Sequence, residues 1–289
     1  MKRILFPTNF SDHTPEVFKY AAELAYFFKA DLVVMHALGQ PDPLFKGGIA
    51  LEHMADIAMD RMILMTKDMP HPFLEKVNLD YVTKIGIAAD AILRTVLDDN
   101  IDLIVMGMTS KTNSIESNIG SVSLEVLGKA DCPVLVVPEN AQFKGIDNIV
   151  FTTNFEFRDL AAINYLRNWS KMLNAPVHCL HVVEDRENEV VAMKNLHILE
   201  DTYKGHKKLH FDLISGDLQE EIENFAAGKK ADFIAMMSHK RSFISRLLER
   251  SGVNSIARHT HIPLLVIKDN AFEWNDDALA WVELANSIA

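Results

Sequence analysis

The segment from Gly107 to Ser123 combines glycine and hydroxyl residues at a spacing that suits a phosphate group. It follows an apolar, strand-like run that ends at Met106, and it leads into residues with helical spacing. A glycine at the end of a strand lets a ligand approach the backbone closely. The amides of a helix N-terminus, together with the hydroxyls of Ser121 and Ser123, suit an anionic ligand. Glycine and serine also form ordinary loops, and the residue types alone favour a plain loop.

Other chemistries find little support in the residue pattern. The Gly-Lys-Ser/Thr of a P-loop does not follow Gly107. His178 and His181 lie three residues apart on a predicted strand, so they point to opposite faces and cannot share one ion. The other histidines of the second half show no zinc-ligand spacing, and structural or surface roles are favoured over metal binding. No Ser-His-Asp order or acid–base pair is recognisable, so we predict no catalytic and no metal-binding residue.

The composition is that of a two-domain globular protein with an acidic surface. The chain has 289 residues, and roughly 150 residues make one domain. Its 29 basic and 40 acidic residues give a net charge of −11, which disfavours nucleic acid and anionic membranes as partners. We expect no membrane-spanning helix and no signal peptide. The two cysteines, Cys132 and Cys179, lie in apolar runs, which favours buried thiols and a reducing cytoplasm.

Strand-like and helical segments alternate along the chain. The apolar runs are short and nearly continuous, as in parallel strands that are covered on both faces. Residues 11–28 and 160–173 have helical spacing, residues 39–50 are predicted to be a loop, and residues 51–68 a helix. Strands that alternate with helices imply right-handed βαβ units and a doubly wound sheet. Ligands of such sheets bind beyond the carboxyl ends of the strands, where the winding reverses.

The chain contains an internal repeat. Residues 4–10 recur as 149–155, residues 102–106 as 232–236, and residues 132–137 as 262–267. Two copies of one α/β domain in tandem are the simplest explanation. We place the domains at residues 1–140 and 146–268, joined by a short polar stretch with Pro and Gly. The amphipathic C-terminal tail, residues 269–289, is expected to dock on its own chain, with partner binding as the weaker alternative.

These features resemble the universal stress protein family, and the resemblance covers almost the whole chain twice. It rests on the tandem layout, the Pro-Thr-Asn-Phe-Ser turn at residues 7–11, the Met-His-Ala of residues 35–37, and Gly-x2-Ser-x9-Gly-Ser-Val-Ser from Gly107. It implies two Rossmann-like domains of the adenine nucleotide alpha hydrolase type, with five-stranded, mostly parallel sheets. It also implies an adenine-nucleotide site for ATP or AMP in the first domain. By this resemblance the phosphates and ribose would contact Gly107, Ser110, Gly120, Ser121, Val122 and Ser123. Likewise, the base and ribose would be bordered by Pro7, Thr8 and Asn9, with the backbone of Ala37 facing the adenine.

Two positions depart from the nucleotide-binding pattern of that family. Asn9 stands where an aspartate is usual, so an uncharged side chain with two donors replaces a carboxylate. Ser110 replaces a glycine, and serine is penalised if that position needs a positive φ. Nucleotide binding and a nucleotide-free scaffold are therefore both open.

The second half departs further, so we expect it not to bind a nucleotide in the family's manner. Met237 and Arg250 stand where Gly107 and Gly120 stand in the first half. A basic cluster surrounds this region; its members are His239, Lys240, Arg241, Arg246, Arg250, Arg258 and His259. A solvated, salt-bridged helix face is the favoured interpretation of this cluster. The alternatives are an anion site, or a plug in which Lys240 or Arg250 fills the vacated phosphate pocket.

The resemblance implies a cytoplasmic stress-response role for the chain. The first hypothesis is a single nucleotide site in the N-terminal domain, and the protein acts through a conformation that depends on the bound ligand. The alternative is a nucleotide-free scaffold of the same fold that binds a partner protein. An enzyme is not expected, although slow ATP hydrolysis stays open. By resemblance the two domains pair through residues 134–137 and 264–267 as an intramolecular pseudo-dimer, which protects both edge strands, and homodimers are also open.

Overall fold

A computed structural model describes most of the chain. The residues it describes are 1–39, 48–67, 73–108, 120–139, 141–185, 189–238 and 262–268, with the backbone alone for 48–50. The chain divides into two compact units, Met1–Phe143 and Lys144–Ala289. We describe each unit by itself.

The first unit contains five parallel strands. They are β1 (Arg3–Pro7), β2 (Asp31–Leu38), β3 (Leu79–Ile85), β4 (Leu103–Gly107) and β5 (Val134–Val137). The helices are α1 (Thr14–Phe28), α2 (Gly48–Lys67), α3 (Ala88–Asp98) and α4 (Ser121–Lys129), with a short 3₁₀ turn at Leu74–Lys76. The strand order is β3-β2-β1-β4-β5. Because the order reverses between β1 and β4, the carboxyl ends of these two strands flank the crevice where ligands of doubly wound sheets bind.

Helix α1 follows β1 and covers the sheet with its apolar face. Val17, Tyr20 and Leu24 are among its buried residues, as the three- and four-residue spacing predicts. Pro15 lies in the first turn, where the missing amide proton costs nothing. His13 occupies the N-terminal cap position of this helix without a side-chain hydrogen bond. The helix ends at Lys29, whose φ of 53° is left-handed.

The second unit repeats this topology. Its strands are β6 (Ile149–Thr152), β7 (Val177–Val183), β8 (Leu209–Ser215), β9 (Phe233–Ser238) and β10 (Leu264–Lys268). Its described helices are α5 (Leu160–Leu173), α6 (Glu189–Thr202) and α7 (Leu218–Lys229), with a 3₁₀ turn at Phe157–Asp159. The order β8-β7-β6-β9-β10 is that of the first unit, strand for strand. The doubly wound fold and the internal repeat are confirmed.

The structure corrects one boundary and leaves several predictions untested. Helix α2 begins at Gly48, so the last three residues of the predicted loop 39–50 are helical. The predicted tail at 269–289 and the basic cluster from His239 to His259 lie outside the described residues. The described helices include none with the length and apolar character that a membrane crossing requires.

Candidate functional site

A cleft opens at the carboxyl ends of β1, β2 and β4 in the first unit. Seven of the predicted site residues line it: Pro7, Thr8, Asn9, Ala37, Gly107, Val122 and Ser123. Gly120 and Ser121 sit at the start of α4, directly before the lining residues Val122 and Ser123. Ser110 lies outside the described residues. The topology therefore brings together residues from segments that are far apart in sequence.

The turn after β1 is held by its own polar groups. The amide of Thr8 donates to the carbonyl of Met35 at 2.8 Å, which ties the turn to β2. Thr8 Oγ1 accepts from the amide of Phe10 at 3.0 Å, and Asn9 Oδ1 accepts from the amide of Ser11 at 3.0 Å. The side-chain oxygen of Asn9 is thus engaged in an Asx turn. Its exposed NH₂ group is the part that remains to meet a ligand.

His36 is a cleft residue that the sequence analysis did not assign. Its Nδ1 lies 2.8 Å from the carbonyl oxygen of Thr8, so Nδ1 carries the proton and donates. In the neutral ring, Nε2 is then an acceptor. The ring of Phe10 lies 4.5 Å from that of His36, and the guanidinium of Arg61 lies 4.3 Å from the Phe10 centroid. A signal for His36 was present in the sequence, because Thr-Asn-Phe and the later histidine both recur in the second half.

Gly107 and the start of α4 form the opposite wall. A Cβ atom on Gly107 would lie 3.0 Å from Val17 Cγ2, so α1 packs closely against this position. Gly120 caps α4 in an extended conformation without a side-chain hydrogen bond, and no acidic residue lies in the first turn. The first amides of a helix lack intrahelical acceptors and carry partial positive charge. This wall therefore offers backbone donors to an anion.

The second unit builds the same turn but closes it with a buried carboxylate. Asp159 is fully buried, and its Oδ2 accepts from Thr153 Oγ1 at 2.7 Å and from the amides of Asn154 and Glu156 at 3.0 and 3.1 Å. His181 Nδ1 donates to the carbonyl of Thr153 at 2.9 Å, as His36 does to Thr8. Burial lowers the pKa of His181. The turn thus serves as a packed structural element in this unit.

In the second unit, larger side chains stand at positions equivalent to those that line the cleft of the first unit. Met237, in the place of Gly107, is 3% exposed. Val182, in the place of Ala37, is 7% exposed. Both residues are thus buried, whereas Gly107 and Ala37 are partly exposed. Lys240 and Arg250, the residues of the alternative plug, lie outside the described part of the chain.

Metal-binding geometry is not found in the described part of the molecule. Among those residues, no three His, Cys, Asp or Glu side chains are arranged to hold one ion. Cys132 and Cys179 are both buried free thiols, and burial raises the pKa of Cys132 to about 12. Neither thiol is therefore suited to ligate a metal or to attack a substrate at neutral pH.

The chain is thus a pair of doubly wound α/β domains. The first domain has a cleft at the carboxyl ends of its strands, where ligands of such sheets bind. The model of the universal stress protein family matches residues 1–138 and again 145–268. The chain belongs to the universal stress protein family and carries its domain twice.

The chain is similar to relatives that match nearly all of it and to relatives that match about half of it. It is 23% identical to universal stress protein Slr1230 of a Synechocystis strain over 93% of this chain and the whole of that protein. It is 26% identical to universal stress protein MJ0577 of Methanocaldococcus jannaschii, which matches 47% of this chain and 94% of its own length. A universal stress protein structure from Archaeoglobus fulgidus superposes with a TM-score of 0.72 at 18% identity, over 92% of this chain and 96% of that one. The structural likeness establishes the two-domain fold.

Proposed function

We propose that this chain is a cytoplasmic stress-response protein whose first unit binds an adenine nucleotide, ATP or AMP, in the cleft at the carboxyl ends of β1, β2 and β4. One observation carries the proposal. The cleft combines an accessible backbone at Gly107 with the uncapped N-terminus of α4, and the second unit lacks that accessible backbone. The ligand acts by changing the conformation of the chain and not through fast turnover.

The phosphates contact the wall made by Gly107 and the first turn of α4. Backbone donors and a positive helix end satisfy an anion without a lysine. The described part of the cleft has a volume of about 140 Å³, below the roughly 300 Å³ typical of small-molecule sites. A nucleotide therefore extends past this part of the cleft, and the phosphates leave it between Gly107 and Gly120.

The adenosine end contacts the wall made by Pro7, Thr8 and Ala37. Asn9 keeps its oxygen in the turn and donates from its NH₂ group to a ribose or phosphate oxygen. An aspartate at this position keeps the same turn and offers its second oxygen as an acceptor for a ribose hydroxyl. The substitution thus changes the polarity of one ligand contact and leaves the turn intact.

Mass spectrometry of the ligand released on denaturing the purified chain is the first test, followed by calorimetry with ATP and AMP. We expect retained nucleotide or a measurable heat of binding. Absence of both would refute the proposal and leave the nucleotide-free scaffold. Hydrolysis that survives Ser121→Ala would show an activity at another site.

Ser121→Asp separates loss of binding from loss of folding. Ser121 is exposed in the first turn of α4, where a carboxylate stabilises a helix by about 0.3–1 kcal/mol. The same carboxylate repels a phosphate, so the variant is at least as stable as the wild type but loses nucleotide affinity. Lys129→Gln at the other end of α4 makes an equal change in net charge and is the control. Equal affinities of both variants for ATP would argue against this site.

Asn9→Asp tests the adenosine end, and Asn154→Asp is its matched control in the second unit. Both asparagines are exposed and follow the same Thr in the same turn. We expect Asn9→Asp to strengthen binding of adenosine itself, which has ribose hydroxyls and no phosphate charge. Asn154→Asp leaves adenosine binding unchanged. The same response from both variants would show that the ligand is not at the first unit's turn.

The second candidate is a scaffold that binds a partner protein without nucleotide. It is favoured by Asn9 and Ser110, which replace the aspartate and glycine of the nucleotide-binding pattern. Pairing of residues 134–137 with 264–267, and assembly into homodimers, belong to both candidates as proposals. Sedimentation with and without ATP tests whether assembly depends on the ligand.

A further inference from the structure

A second cleft lies in the second unit, at the amino-terminal ends of β7 and β8. It has a volume of about 510 Å³, within the roughly 300–1,000 Å³ of small-molecule sites. His178 of β7 and His210 of β8 lie side by side in the strand register, and their rings stack with centroids 5.0 Å apart. Asp212, two residues after His210, lies on the same face of β8. This cleft is at the opposite end of the strands from the family's ligand position.

Two polar side chains in the wall of this cleft lack hydrogen-bond partners among the described residues. His178 is 8% exposed, and its Nδ1 is buried and unpartnered. Asp212 Oδ2 is likewise buried and unpartnered. Buried polar atoms are almost always hydrogen-bonded to protein or to ordered water, so two unpartnered atoms on residues that line one cleft are consistent with a polar ligand there.

The lining of this cleft has more lysines than carboxylates. Lys204, Lys207 and Lys229 line the cleft, whereas its acidic residues are Glu200 and Asp212. The local field acts on His178: its pKa is lowered to about 4, first by burial and then by the charges of Lys229 and His210. In a chain of net charge −11, such a concentration of cations selects for an anion.

The first unit also has a cleft at the amino-terminal ends of its strands, of about 380 Å³, but no histidine is among the described residues that line it. Val33 stands where His178 stands and is fully buried. Asp80 stands where His210 stands, and its carboxylate pairs with Arg3 at 3.1 Å. The paired histidines are therefore a feature of the second unit, the one that has Met237 in the place of Gly107.

We propose that this cleft binds a small phosphorylated polyol, such as a sugar phosphate. The phosphate contacts Lys229 and the lysines of the loop after α6, and a ligand hydroxyl donates to Asp212 Oδ2. A second ligand oxygen or hydroxyl pairs with His178 Nδ1. Inorganic phosphate pairs with the lysines but does not donate a hydrogen bond to the Asp212 carboxylate. The site therefore prefers the phosphorylated polyol over inorganic phosphate.

Calorimetry of the full chain with glycerol 3-phosphate, inorganic phosphate and glycerol tests the proposal. We expect glycerol 3-phosphate to bind about tenfold more tightly than phosphate, from one hydrogen bond to a charged acceptor. Lys229→Gln weakens glycerol 3-phosphate about tenfold, whereas Lys171→Gln on α5, outside the cleft, does not. Asp212→Asn strengthens the binding of inorganic phosphate, because the repulsion between the carboxylate and the phosphate is removed. The affinity ratio between glycerol 3-phosphate and inorganic phosphate therefore becomes smaller.

Three outcomes would overturn the proposal. The first is no binding of either anion, and the second is equal loss from Lys229→Gln and Lys171→Gln. The third is tight binding of Zn²⁺ alone that His210→Gln abolishes, which would make the cleft a cation site. Ser121→Asp, which blocks the proposed nucleotide site, leaves glycerol 3-phosphate binding intact. Failure at one site is thus distinguishable from failure at the other.

Discussion

His178 makes the stability of the second unit depend on pH. The side chain lies against Phe225, at a centroid distance of 6.2 Å, and against His210. Burial is the largest reason for its low pKa, because a charged imidazole loses hydration there. The unfolded chain binds a proton at an ordinary histidine pKa, whereas the folded chain resists it. Acid therefore favours the unfolded state through this one residue.

The size of this effect follows from the two pKa values. The folded pKa of about 4 lies below the ordinary value of 6.5, so the contribution of His178 is complete above pH 6.5. It is lost as the pH falls from 6.5 towards 4, at about 1.4 kcal/mol per pH unit in the middle of that range. The loss is about 2 kcal/mol at pH 5 and about 3 kcal/mol at pH 4.

Urea unfolding of wild type and His178→Gln at pH 7.5, 6.5, 5.5 and 5.0, in phosphate-free buffer, measures this loss. Gln keeps a polar side chain but does not titrate, so the variant loses about 2 kcal/mol less than wild type between pH 7.5 and 5.0. His197→Gln, which replaces an exposed imidazole on α6, retains the wild-type pH dependence. The reasoning fails if wild type and His178→Gln lose the same free energy of unfolding over this range.

Three further predictions concern the packing at Gly107, the helix caps and the thiol of Cys132. Gly107→Ala places a Cβ 3.0 Å from Val17 Cγ2 and costs about 1–3 kcal/mol in urea unfolding, and a double-mutant cycle with Val17→Ala shows coupling. Asp217→Ala removes a side chain that caps two amides of α7, so the free energy of unfolding falls by about 1 kcal/mol. Ile87→Asp adds the side-chain cap that α3 lacks and raises the midpoint of thermal unfolding. Cys132 reacts with a thiol reagent only after denaturant is added, because burial raises its pKa to about 12; fast labelling of the native chain would contradict this.

The fold was predictable because its signals are redundant. Each strand is an apolar run, each helix has its own spacing, and the whole pattern occurs twice. The repeat of Thr8 as Thr153 and of His36 as His181 even encodes one hydrogen bond twice, from imidazole to threonine carbonyl. Local periodicity and duplication therefore determine topology, and topology determines which strand ends meet.

The finer properties of the cleft depend on contacts that no spacing reveals. The oxygen of Asn9 is engaged by the amide of Ser11, which decides which end of its side chain faces a ligand. Arg61 reaches Phe10 from a helix that is distant in sequence. His178 was predicted to be structural or at the surface; it is buried, and among the described residues its Nδ1 has no hydrogen-bond partner. Such properties depend on residues that are distant in sequence, so the sequence of the segment alone does not reveal them.

The two units show how duplication frees one copy of a domain to change. In the first, Gly107 keeps its backbone accessible at the carboxyl ends of the strands; in the second, Met237 fills that place and Asp159 locks the turn. A substitution in the place of Gly107 does not explain why polar residues stand at the other end of the strands. Burying His178 without a partner costs free energy. The second unit bears this cost at a position where the first unit has the apolar Val33, and a ligand of its own is the simplest explanation.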